Sequence, residues 1–165
     1  SFKRAKLIHY LGNHSPSLEQ LAAKSLEEIE KQANDEWEKL TVALQWSNLY
    51  AAYGLEYKLI ALRAMRGLDI EDKNHDKDAL TEQEIETLAK VEHIRWNVEK
   101  LLLGYRKPLE KEDMRNKPTD IKKQLKNNKN FFIHSDIRPW DELDDHSFDL
   151  NIVKYIPWIF KTTNY

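Results

Sequence analysis

The sequence predicts a mainly α-helical fold, and three observations carry that expectation. Apolar residues recur at helical spacing over most of the chain, and Ser/Thr capping pairs stand where two of those stretches begin. No segment alternates with the period of a strand over a convincing length. With 165 residues, 41% hydrophobic and 33% charged, the chain suits one folded unit with one buried core rather than a disordered polymer.

Residues 1–16 read as irregular and end in Ser15-Pro16-Ser17. Ser17 and Gln20 then form a capping-box pattern, because a hydroxyl and an amide three residues apart can each satisfy the other's backbone N–H. Leu18, Leu21, Ala22, Ser25, Leu26 and Ile29 follow at helical spacing, and a second helix is expected to begin near Asp35 with Trp37 and Leu40 on it. A third apolar stretch runs from about Leu44 to Met65, with Gly67 as its stop, since glycine accepts the left-handed conformation that closes a helix. Residues 69–78 read as a polar linker. Thr81 and Glu84 make a second capping box, which opens the longest clear helix, Glu82 to Leu103, ending at Gly104.

The rest of the chain is less periodic. Residues 105–130 are basic and polar, with Pro108 and Pro118, and read as a long connection. Phe131 to Trp140 is an aromatic patch without a local partner, so it should fold back over helix 82–103 to be covered. Asp144 or Asp145 is expected to cap a last helix bearing Phe148, Ile152, Tyr155 and Ile156, which Pro157 kinks or ends. We divide the chain into an N-terminal helical extension, 1–80, and a domain at 81–165, together one compact unit.

Composition narrows the function. A formal net charge of -2 offers no global positive field for nucleic acid or an anionic membrane. Cysteine is absent, which removes thiolate catalysis and Cys-based zinc sites and permits the cytoplasmic location we expect. No apolar run approaches the ~20 residues of a membrane span. The sequence shows no signal-peptide pattern and begins without Met, so it reads as a segment of a longer protein whose other domains are its partners.

The informative residues are concentrated in KVEHIRWNVEKLLLGYRKP (90–108), HSDIRPWDEL (134–143) and FDLNIVKYIPWIF (148–160). These segments resemble the RyR domain, the repeat named after ryanodine-receptor calcium channels and also found in bacterial proteins. The pattern is a helix with E-H-x-x-W, a stop at G-[WY], a basic stretch, H-x-x-x-x-P-[WFY]-x-x-L and a closing helix. The matching positions are Glu92, His93, Arg95, Trp96, Gly104, Tyr105, His134, Pro139, Trp140 and Leu143, and the likeness extends over about 37–160. Beyond Tyr105 the chain departs from its relatives, with RKPLEKEDMRNK and a KKQLKNNKN insertion. The resemblance implies RyR-repeat topology, and a non-enzymatic regulatory module in which the helix Trp, here Trp96, helps hold an adenine nucleotide.

The residue chemistry agrees with that role. His93 and Trp96 share a helix face, flanked by Ala89 and Lys100, so a flat base could stack on the indole and meet a cation beside it. Arg95, Arg106 and Arg138 are candidate phosphate partners, because guanidinium forks match phosphate oxygens. The ligand-binding set is therefore Glu92, His93, Arg95, Trp96, Tyr105, Arg106, His134, Arg138 and Trp140. No catalytic group, metal ligand or resident cofactor is assigned. Two other readings stand beside this one. In the first, the aromatics are core, His93 bonds a backbone carbonyl, and the surface binds a partner protein. In the second, Glu92 and His93 act as an acid–base pair on nucleotides. Asp72, Asn74, Asp76 and Asp78 fall at EF-hand positions, but Lys77 and Gln83 stand where that loop needs Gly and Glu.

Overall fold

A computed structural model describes residues 1–109 and 132–163. The chain is mainly helical, as the periodicity predicts, and among the described residues the only strand-like pairing is an isolated bridge between Arg106 and Ile133. The residues form two compact units, Ser1–Glu92 with His146–Tyr165, and His93–Asp145. The basic connection beyond residue 109 and Phe131 lie outside the described residues.

The first unit opens with α1 (Phe2–His14), where the sequence reading expected irregular chain. Its buried face is Ala5, Leu7, Ile8, Tyr10 and Leu11. No capping side chain marks its start, and Gly12, Asn13 and His14 dilute its apolar pattern, so tertiary burial rather than local preference makes this helix. Ser15 ends it at φ 42, its N–H donating to the Leu11 carbonyl (2.9 Å).

Next comes α2 (Leu18–Ala23), with the expected capping box. The Gln20 N–H donates to Ser17 Oγ (3.1 Å), and the Ser17 N–H to Gln20 Oε1 (2.8 Å). The expected helix boundaries beyond it are corrected. Ser25 and Glu28 make a second reciprocal cap (3.2 and 3.0 Å), so the chain breaks there and α3 (Leu26–Trp37) runs through Asp35 rather than starting at it.

Thr41 caps α4 (Val42–Met65), which begins two residues before the expected Leu44. Leu49, Ala51, Ala52, Leu55, Leu59 and Leu62 form its buried face. Helix α1 packs on α3, on α4 and on the helix Ser147–Lys154. Gly67 stops α4 at φ 69, with the Leu68 N–H donating to the Arg63 carbonyl (2.9 Å), the six-to-one bond of a Schellman motif.

The segment read as a solvated linker is pinned instead. Asp76 is buried and accepts both nitrogens of the Arg63 fork, which also donates to the Ile70 carbonyl. Arg66 donates to Glu84 (2.7 and 3.1 Å), to the His75 carbonyl (3.0 Å) and to the Ala79 carbonyl (3.2 Å). Asp76 therefore answers a guanidinium, the reason its EF-hand-like position needs no cation.

Helix α5 (Glu82–Leu102) opens on the Thr81–Glu84 box, with reciprocal bonds of 3.2 and 2.8 Å, and gives its residues up to Glu92 to this unit. Glu92 is fully buried, with Oε2 2.6 Å from Nζ of Lys58, which is 1% exposed. The unit closes with α6 (Ser147–Lys154) and α7 (Ile156–Thr162). The start of α6 falls after the expected Asp144 or Asp145, with His146 at the cap position. The break at Tyr155 fits Pro157, which has no N–H to continue a helix and is tolerated in a first turn. The Tyr155 hydroxyl donates to the Pro16 carbonyl (2.7 Å), and burial pushes its pKa up to about 12.

The second unit holds the end of α5, the turn at Gly104 (φ 86) and the segment 132–145. The Tyr105 N–H donates to the Lys100 carbonyl (2.9 Å), the same closure as at Gly67. The Arg106 N–H donates to the Phe132 carbonyl (2.8 Å) and the His134 N–H to the Arg106 carbonyl (3.1 Å), which lays 132–134 along 105–107. A 3-10 turn, Trp140–Glu142, follows Pro139.

Candidate functional site

The end of α5 and the returning segment bring the aromatic and imidazole side chains of the second unit together. His93 and Trp96 lie on one face of α5, with ring centroids 6.3 Å apart and planes tilted by only 17°. Trp140 meets His93 edge-on at 6.0 Å, as the fold-back expected for this segment requires. His134 meets Trp96 edge-on at 4.7 Å and Tyr105 at 6.5 Å. Phe132 packs against Tyr105 at 5.3 Å. The Lys100 ammonium stands 5.5 Å from the Trp96 ring and 5.7 Å from the Tyr105 ring, within the range where a cation is drawn to an aromatic face.

Polar bonds fix this cluster from beneath. His93 is buried, and its Nε2 donates to the Arg138 carbonyl (2.7 Å); Asn97, one turn along α5, donates to the same oxygen (3.1 Å). His93 thus tethers the returning chain by its backbone, the bland role weighed for it from sequence. His134 is only partly buried. The Asp136 N–H donates to its Nδ1 (3.3 Å), which leaves the neutral ring protonated on Nε2. Burial lowers the His134 pKa below its ordinary value; Asp136 opposes that shift and Lys100 adds to it.

The side chains of the other expected site residues have further partners. Glu92 belongs to the first unit and answers Lys58. Adjacent residues of a helix point roughly 100° apart, so Glu92 and His93 serve different faces, and no shared acid–base geometry arises from them. Arg95 donates to Glu99 (2.7 Å). Arg138 is buried and donates to the Ser135 carbonyl. Arg106 is exposed, with Nη1 donating to the Lys107 carbonyl (3.1 Å).

Trp96, Tyr105 and Trp140 are all partly exposed rather than sealed in a core. Hollows of about 330 and 220 Å³ lie elsewhere: one is walled by Arg66, His75, Asp78 and Glu84, the other by Lys3, Lys6, Glu30 and Asn34. Sequence reasoning left Lys100, Asn97 and Phe132 out of the site set. Lys100 and Asn97 sit one helical turn after Trp96 and His93, at i,i+4, so the helix-face rule that paired His93 with Trp96 at i,i+3 reaches them too. Among the described residues no group of three or more His, Cys, Asp or Glu could hold a metal ion. The arrangement can therefore do recognition chemistry: flat apolar rings, one ammonium beside them, and imidazole and amide donors at the edges. Comparison with protein-family models, curated proteins and solved structures finds no match for this chain.

Proposed function

We propose that this chain is a non-enzymatic, ligand-sensing module of RyR type that holds an adenine nucleotide on the cluster of Trp96, Tyr105, His134 and Lys100. The observation that carries the reading is the Lys100 ammonium shared between two partly exposed aromatic rings. A purine offers each ring a stacking face, and a phosphate answers the ammonium. Arg106 is the guanidinium we assign to further phosphates. It is exposed and backbone-paired beside His134, whereas Arg138 is buried; Glu99 accepts from Arg95 (2.7 Å) and also from the Lys100 ammonium (3.3 Å), a contact that a phosphate would have to share. His93 and Asn97 hold the site's shape by fixing the Arg138 carbonyl.

Titration calorimetry with ATP and with adenosine tests this. Stacking on an aromatic ring is worth about 1–3 kcal/mol, so Trp96→Ala weakens both ligands by about tenfold or more while circular dichroism stays unchanged. Lys100→Met and Arg106→Ala weaken ATP more than adenosine, because only ATP carries the charge they meet. Absence of binding to ATP, ADP, AMP and cyclic dinucleotides at millimolar concentration overturns the reading. The second reading, a protein-interaction module, is favoured by one separate observation: the outward face of α4 is lined by aromatic side chains.

A further inference from the structure

Helix α4 is apolar on both sides. Its inner face is buried, yet Trp46, Tyr50, Tyr53, Tyr57 and Ile60 point outward and are 41–73% exposed. They are spaced four, three, four and three residues apart, the repeat of a coiled-coil seam, and Ala43 and Ala64 extend it by a step at each end. The charges of the helix do not interrupt this seam. Glu56 is bonded to Arg4 (2.7 Å), Lys58 to Glu92 (2.6 Å) and Arg63 to Asp76, so each charged side chain of α4 is engaged within its own unit. A soluble helix ordinarily presents charged residues on the face away from its core.

We propose that this face of α4 is a homodimer interface, in which two copies of the chain pack their α4 helices antiparallel about a two-fold axis. Area is the first argument. With about 200 Å² per aromatic side chain, the five exposed side chains offer roughly 500 Å², at the upper end of what a monomer shows in one patch. Val42, also exposed and on the same side of the helix, carries the patch toward the ~600 Å² that each partner gives to the smaller specific interfaces.

Self-complementarity is the second. A two-fold contact sets one patch against itself, and an antiparallel pairing of this seam sets apolar or aromatic residues against one another at every step, with the largest, Trp46, against the smallest, Ala64. Trp46 meets Ala64 of the second copy, Tyr50 meets Ile60, and Tyr53 meets Tyr57. Ser47, Gly54 and Ala61 line one flank at seven-residue intervals and let the backbones approach. An uncharged face suits an identical uncharged face, whereas a charged partner would find no ion pair on it. Tyr and Trp are the residues that interfaces favour at their centres.

Sedimentation equilibrium of the 165-residue chain reads the answer. The expected result is a dimer with a dissociation constant on the order of micromolar. Tyr53→Glu and Tyr57→Glu, at solvent-exposed positions, each shift it to monomer with unchanged helicity. The chain has no cysteine, so introduced thiols report unambiguously. Tyr53→Cys and Tyr57→Cys chains mixed under oxidation cross-link to one another more than either does to itself. A monomer throughout the range to several hundred micromolar overturns the proposal. So does a dimer that survives both glutamate substitutions, which would locate the contact elsewhere, or cross-linking that favours like positions, which would make the helices parallel.

Discussion

The two units solve the problem of burying polar groups in opposite ways. The first carries a large apolar core, from Leu7 and Leu11 through Leu55, Leu59 and Leu62 to Ile156 and Phe160. Its buried charges come in matched pairs, Lys58 with Glu92 and Arg63 with Asp76. The second is poor in buried aliphatic residues; among the described ones, Ile137 is the clear example. It is held by ring edges and by two donors on the Arg138 carbonyl, and its buried carboxylate, Glu99, is met by half-buried cations of its own helix, Arg95 and Lys100. A unit built on paired charges loses heavily when one partner goes. A unit built on partly exposed rings loses little per contact and can trade a ring contact for a ligand contact.

The contrast breaks first at the Lys58–Glu92 pair. Glu92→Leu strands a buried ammonium and should cost about 3–5 kcal/mol, measured by urea unfolding. Lys58→Met added to Glu92→Leu should restore most of that loss, since a buried pair replaced by apolar residues is often neutral. A single substitution that costs under ~1 kcal/mol would mean that water reaches the site. Next comes Trp140→Ala in the second unit. A fully buried Trp would cost ~3–5 kcal/mol; Trp140 keeps part of its ring in solvent and meets His93 edge-on, so about 2 kcal/mol is expected. A loss as large as that of Glu92→Leu would erase the distinction between the two units.

Helix existence was legible in the sequence where local chemistry marks it, at the Ser17, Thr81, Gly67 and Gly104 signals. It was not legible for α1, which has no cap and gains its order from packing on α3, α4 and α6. The second cap, at Ser25, was hidden inside an apolar run that continued across it. Periodicity found α5 but only part of its buried face. Of the apolar residues at helical spacing, Ile85, Leu88, Val91, Val98 and Leu102, Leu88 is fully buried and Ile85 half-buried, but Val91, Val98 and Leu102 are exposed, while Glu84, Glu92 and Glu99 are buried. A buried carboxylate needs a cation to meet it: Glu99 finds Arg95 and Lys100 on its own helix, whereas Lys58 and Arg66, the partners of Glu92 and Glu84, are far away in sequence. Within the aromatic cluster, Trp96, Tyr105, His134 and Trp140 were legible because i,i+3 spacing and the fold-back bring them together. The engagement of Arg138 by Ser135 was not, since it depends on a turn.

Smaller effects separate backbone reasons from side-chain reasons. Gly67→Ala and Gly104→Ala should each cost about 1 kcal/mol, because both glycines have positive φ and an added Cβ meets nothing within 4 Å. Strain alone then sets the loss, so the two units should respond alike in thermal unfolding. Unequal losses would show that one helix end relaxes.

The smallest expected effect is the pH response of His134. Burial holds its pKa below 6.5, Asp136 only partly offsets that, and the proximity of Lys100 lowers it further. The Asp136 N–H aimed at Nδ1 demands a lone pair there and agrees with a neutral ring. The unfolded chain binds a proton at this imidazole more readily than the folded one. Stability is therefore full above 6.5 and falls as pH drops through 6.5 toward the lower folded value. The acid limb has a different owner. Glu84, held to about 2 chiefly by its bond from Arg66, keeps its full contribution above 4.5 and loses it as pH falls toward 2. His9 in the first unit, lowered mainly by burial, adds a slope of the same sign as His134. Urea midpoints between pH 7.5 and 5 should thus decline gently for the parent chain and less for His134→Gln. Below pH 4.5 the two proteins should run parallel. If His134→Gln leaves the slope above pH 5 unchanged, the ring is not desolvated, and the Trp96–His134 contact is looser than its 4.7 Å separation indicates.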